Sequence, residues 1–177
     1  MKAGIHFSAI LIALLLAGCV SRPPLATVPQ VDLKRYEGRW FEIAKYPNWF
    51  QRGCEADTTA EYTAQPDGTI LIVNRCRQKN GSIREARAQA SVVPGSNSAK
   101  LRVSFAGSPI AGGYWIIGLD EKNYSWALVG HPSRQLLWIL SRQSQMNPQT
   151  YSQIVTLAEE LGYKPERIEK SNQTAPQ

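Results

Sequence analysis

Chemistry-bearing side chains are scarce in this 177-residue sequence, which has two histidines and three cysteines. His6 lies in an N-terminal stretch that reads as a leader, so His131 is the imidazole left to the rest of the chain. That leaves little for Ser-His-Asp or Cys-His catalysis unless distant residues converge on it. No G-x-S-x-G elbow occurs, and cysteines at 19, 54 and 76 lack the C-x-x-C spacing of a metal site. His131, inside Gly130-His131-Pro132, reads as a solvated turn residue. There is no run of five or six like charges: 20 Lys plus Arg against 14 Asp plus Glu give +6, but the basic residues are scattered. This argues against a nucleic-acid surface and leaves weak attraction to anionic lipid headgroups. No apolar run reaches the roughly 20 residues of a spanning helix. The reading is of a protein that is not an enzyme and needs neither cofactor nor metal. What is present is 43% hydrophobic and 9% aromatic residues, enough for the core of one domain.

The N-terminus carries Lys2, an apolar stretch from Ile5 to Ala17, then small residues, which is the layout of a secretory signal. Leu16-Ala17-Gly18-Cys19 resembles the lipobox of bacterial lipoproteins. That resemblance implies a diacylglycerol thioether on Cys19, cleavage before it, and acylation of the new amine. Three acyl chains, at about 0.8 kcal/mol per buried CH₂, hold far more firmly than one. Val20 rather than Asp after the cysteine implies, by the sorting rule of enteric bacteria, the outer membrane with the domain in the periplasm. Residues 1–18 are then a signal peptide and 19–30 a lipidated cysteine with a Pro-rich tether. Cys54 and Cys76 remain as an even pair in an exported chain.

From Gly38 the sequence alternates in short strands separated by turn signals. Strands are expected at 39–46, 57–64, 69–76, 84–93, 99–106, 113–120, 123–130 and 135–142. Pro66-Asp67-Gly68, Lys79-Asn80-Gly81-Ser82 and Pro94-Gly95-Ser96-Asn97 are hairpin-length links, so neighbours should pair antiparallel in an up-and-down meander. Alternation assigns Tyr62, Ile70, Ile72, Asn74, Ala86, Ala88, Ala90, Leu101, Val103, Phe105, Tyr114 and Ile116 to one face. Bulky on some strands and small on Ala86, Ala88 and Ala90, that face suits a closed barrel with space for one small ligand. Residues 147–162 break the pattern: Asn147 as N-cap, Pro148 at the first helical position, an apolar stripe at Tyr151, Ile154, Val155, Ala158 and Leu161, and Gly162 as stop. The helix should pack outside the barrel on Leu71, Val73, Trp115 and Ile117.

Gly38-Arg39-Trp40 resembles the G-x-W signature of lipocalins, and Trp138-Ile139-Leu140-Ser141-Arg142 resembles their final-strand arginine. The resemblance, to the bacterial outer-membrane lipoprotein branch in particular, spans nearly all of residues 31–168. It implies an all-β fold: an eight-stranded antiparallel up-and-down barrel with one C-terminal helix outside, over 31–170, and a flexible tail at 171–177. It further implies Arg142 lying on the Trp40 ring and binding of lysophospholipids or fatty acids, for storage or transport in envelope maintenance. Some relatives form homodimers. A different apolar cargo such as a tetrapyrrole, and less readily a lipid-acting enzyme, are the alternatives. Tyr46, Trp49 and Phe50 would form the lip of the pocket. Cys54 and Cys76 flank the second hairpin, where a disulfide would be worth about 3 kcal/mol, two free thiols being the alternative.

Overall fold

A computed structural model describes residues 22–105 and 111–174. The signal segment, Cys19 and residues 175–177 of the tail lie outside the described residues. The alternating segments form β1 (Gly38–Lys45), β2 (Ala56–Ala64), β3 (Ile70–Arg77), β4 (Ile83–Val92), β5 (Lys100–Phe105), β6 (Ala111–Leu119), β7 (Trp126–Gly130) and β8 (Leu137–Ser141). Each pairs antiparallel with the next, and β1 pairs with both β2 and β8, so the sheet closes into a barrel. The seventh strand starts later than its sequence suggests. The Asp120 carboxylate accepts from the Asn123 and Ser125 amides, and Tyr124 sits at φ 54°, which keeps the chain in a turn until Trp126.

Two irregularities shape one end of the barrel. β1 is bulged between Glu42 and Ala44, and β2 between Ala56 and Thr59, so their direct pairing stops at Phe41 opposite Thr59. A short strand β9 (Glu169–Lys170) fills the opening and pairs with Ala44 and Lys45. Beyond it the Asp57 amide donates to the Asn172 carbonyl at 2.8 Å, and the Thr174 amide donates to the Asp57 carboxylate at 2.6 Å. Residues 171–174 are therefore fastened to β2, against the expectation of a flexible tail.

Residues 22–30 are likewise not a free tether. Arg134, between β7 and β8, donates to the Pro23 carbonyl at 2.9 Å, Leu25 is buried on the outer wall, and the Val28 amide donates to the Ile116 carbonyl at 3.0 Å. The segment then crosses the opposite end of the barrel and forms α1 (Leu33–Tyr36), capped by Asp32.

α2 (Pro148–Glu160) starts as read, with Asn147 accepting from the Gln149 and Thr150 amides. Its buried Ile154 and Ala158 pack with Ile43, Ile117, Leu128, Leu137 and Ile139, with Trp115 at the margin. At Gly118 an added Cβ would lie 2.8 Å from Leu157 Cδ2, so the missing side chain lets helix and wall meet. Leu71 and Val73 are not under the helix. The short link after β8 docks α2 over its own neighbours and cannot carry it round to β3.

The end crossed by α1 is closed by one stack. The Trp40 ring is fully buried, its indole donates to the Tyr36 carbonyl at 2.8 Å, and the Arg142 guanidinium lies 3.9 Å from its centroid. Arg142 also donates to the carbonyls of Arg39 (2.9 Å), Arg35 (2.7 Å) and Tyr124 (3.3 Å). Gly38 sits at φ +90°, where a Cβ would come 3.4 Å from an Arg142 nitrogen, which accounts for glycine two residues before the tryptophan. Arg142→Ala should cost about 2–4 kcal/mol in urea unfolding, since the ring contact and several charge-assisted bonds go together. Arg142→Lys should recover little of it, because an ammonium cannot reach three carbonyls from one plane.

Candidate functional site

Inward-facing side chains divide into two zones. Near the closed end, Tyr62, Ile70, Ile72, Ala88, Ala90, Leu101 and Ile116 are buried in one cluster with Tyr36 and Trp40. Toward the other end Asn74, Ala86 and Val103 retain accessible surface, and Phe105 is 39% exposed. Because Asn74 pairs with Ala86 and shares a face with Ile72, this surface lies inside the wall. It outlines a lumen that opens away from the Trp40 stack.

The polar groups of the lumen are few. Tyr114 Oη lies 2.8 Å from Tyr36 Oη and 2.7 Å from Tyr62 Oη, joining three phenols at its inner end. Burial pushes all three well above the ordinary phenol value, so they stay protonated at neutral pH. Tyr114 keeps some accessible surface, although burial leads its shift. The Asn74 amide faces the same space.

Nearer the mouth stands Glu42, almost fully buried and on the inner face opposite Leu140. Its carboxylate accepts from Lys45 Nζ (2.7 Å), Gln51 Nε2 (2.6 Å) and Ser171 Oγ (2.5 Å). Gln51 Oε1 in turn accepts from Trp138 Nε1 at 3.1 Å. One carboxylate thus ties together the loop after β1, the last barrel strand and the C-terminal segment. Sequence reasoning missed this centre and missed Tyr36; in Glu42 the one signal was a charged residue at an inward position of β1.

Cys54 and Cys76 form a disulfide, Cα to Cα 5.5 Å, which ties the same loop to β3. No free thiol remains at Cys76. On this loop Trp49 is 75% exposed and Phe50 half-buried, its ring 6.3 Å from Trp138. Tyr46 does not line the lumen. It is buried on the outer wall 5.5 Å from the Tyr163 ring, with its hydroxyl on the Lys164 carbonyl and Arg167 over its face. The β1 bulge is the reason: it inserts a residue, and the parity that starts at Trp40 is reversed beyond it. His131 is half-buried rather than solvated, with Nδ1 held by Ser133, and burial lowers its pKa. Among the described residues no group of three His, Cys, Asp or Glu could hold a metal ion.

The model of the Lipocalin-like domain matches residues 31–173. The chain belongs to the lipocalin family. It is 40% identical over 158 residues to Temperature-induced lipocalin-1 of Arabidopsis thaliana, covering 85% of this chain and 83% of that protein. It is 35% identical over 161 residues to Outer membrane lipoprotein Blc of Vibrio cholerae, covering 90% and 93%. Insecticyanin of the tobacco hornworm Manduca sexta superposes with a TM-score of 0.70 at 19% identity, covering 87% of each chain, a likeness of fold alone. In this lipocalin the Trp40 and Arg142 pair and the C-terminal helix stand where the sequence places them.

The buried phenols set the alkaline limit of the fold. Their folded pKa values lie above the unfolded value of about 10, so this contribution is complete below that pH and is lost as pH rises beyond it. Unfolding midpoints in urea should therefore fall above about pH 10, with the ultraviolet phenolate band of these residues appearing together with unfolding. Tyr62→Phe should make the decline shallower.

Proposed function

We propose that this lipocalin is a lipid carrier anchored to the outer membrane through Cys19, holding fatty acids or lysophospholipids in its lumen for storage or transport in envelope maintenance. The observation that carries this reading is the lumen itself: closed at one end by the Trp40 stack, walled by apolar and small side chains, and still accessible at Ala86, Val103, Tyr114 and Phe105. An acyl chain gains roughly 25 cal/mol per Å² of apolar surface removed from water, so such a wall binds it without any reactive group. The anchor rests on the lipobox at Leu16 to Cys19 and on the similarity to relatives named Outer membrane lipoprotein Blc. Nothing in this reading requires covalent chemistry on the ligand.

Native mass spectrometry of the purified protein with added fatty acid and lysophospholipid should give one-to-one adducts with at least one of them. Absence of an adduct with either would remove this ligand class. In cells fed labelled palmitate, label should enter the wild-type chain and be lost in Cys19→Ser; label retained in the variant would remove the anchor.

A further inference from the structure

The phenol cluster at the inner end of the lumen holds more hydrogen-bond donors than the protein uses. Tyr36, Tyr62 and Tyr114 bring three hydroxyl protons, and the two contacts at 2.8 and 2.7 Å consume two of them. Whichever way the shared protons point, one remains, and it has no acceptor among the described residues. A purely structural cluster would more economically be phenylalanine, because a buried hydroxyl without its partner costs about 1–3 kcal/mol. The cluster also lies near a cation: the Arg142 guanidinium is 3.9 Å from the centroid of the Trp40 ring, which lies 4.8 Å from that of Tyr36. Tyr114, in the middle, is the member that is not fully buried. Donor excess, a cation one ring away and a central tyrosine that is not fully buried together describe a receptor for an oxygen acceptor and offer nothing to a terminal methyl group.

We propose that the Tyr36, Tyr62 and Tyr114 hydroxyls form an inner subsite for a carbonyl or carboxyl oxygen, so that a fatty acid enters this barrel carboxyl first. The inference rests on the reading of the lumen as an acyl-chain site and adds the ligand's direction to it. A phospholipid headgroup carries charges that three phenols cannot balance away from water, so a lysophospholipid would sit the other way round, headgroup at the mouth and away from the phenols. The subsite is thus the element that separates the two ligand classes.

The test compares palmitate with a palmitoyl lysophospholipid on the wild type and on the triple variant Tyr36→Phe, Tyr62→Phe, Tyr114→Phe. Removing all three hydroxyls leaves no orphaned partner and nearly the same shape. The triple variant should bind palmitate about five- to tenfold more weakly, as expected for one lost hydrogen bond, and the lysophospholipid as before. Equal weakening of both, or of neither, overturns the subsite while leaving the carrier reading intact. Failure of the wild type to bind either overturns the carrier reading instead. A second measurement needs no variant: the carboxyl carbon of ¹³C-labelled palmitate bound to the wild type should not respond to pH across the usual carboxylate range. A carboxyl that titrates there as it does in water is at the mouth, and the proposal falls.

Discussion

Closure at one end is the constraint on which the rest of this barrel depends. A cylinder of strands lined with apolar side chains fills with water unless one end is sealed, and here the seal is the guanidinium of Arg142 laid on the buried ring of Trp40. A cation in that position must have its other donors satisfied, and the carbonyls of Arg35, Arg39 and Tyr124 do so. The same bonds fix the end of α1, the start of β1 and the turn before β7, the last of which is far from the other two in sequence. The cation stands one ring away from the phenols, since the Tyr36 ring lies 4.8 Å from that of Trp40.

The opposite end is held by different means. β1 and β2 part there, and the wedge between them is filled by the C-terminal segment, with Glu42 accepting from the loop and from that segment at once. A buried carboxylate is costly unless every lone pair has a donor, and this one has an ammonium, an amide and a hydroxyl within 2.7 Å. The Cys54 to Cys76 bridge limits how far the same loop can swing. The mouth is therefore framed by cross-links between segments, the base by stacking.

Most of the wall was legible because a barrel enforces period two: one face must be dry and the other meets water or a helix. REARAQA and KLRVSFAG show that alternation directly, and the inner cluster follows it. What escaped obeys no period. Tyr46 is expected at the lip of the pocket, but a bulge leaves no mark in the sequence, and one inserted residue reverses every side chain beyond it and turns Tyr46 outward. Tyr36 stands on a four-residue helix, too short to show a periodic stripe. Leu71 and Val73 are outward as read, but which part of the wall a helix covers depends on the length of its link rather than on the apolarity of the wall. The tail at 171–174 carries the polar composition of a loose end and is held by backbone pairing, to which composition is blind.

The path of residues 22–31 has a consequence for the molecule's attitude toward a surface. Arg134, which holds Pro23, lies between β7 and β8, on the mouth side of the barrel, and the segment descends from there to the base. Only three peptide links along the chain separate Arg22 from Cys19, a reach of at most about 11 Å when fully extended. A lipid on Cys19, as proposed, would be leashed beside the opening rather than beneath the seal. Were the segment free along its whole length, the barrel could tumble on a long cord; fastened as it is, it would keep its aperture near whatever such a lipid is embedded in.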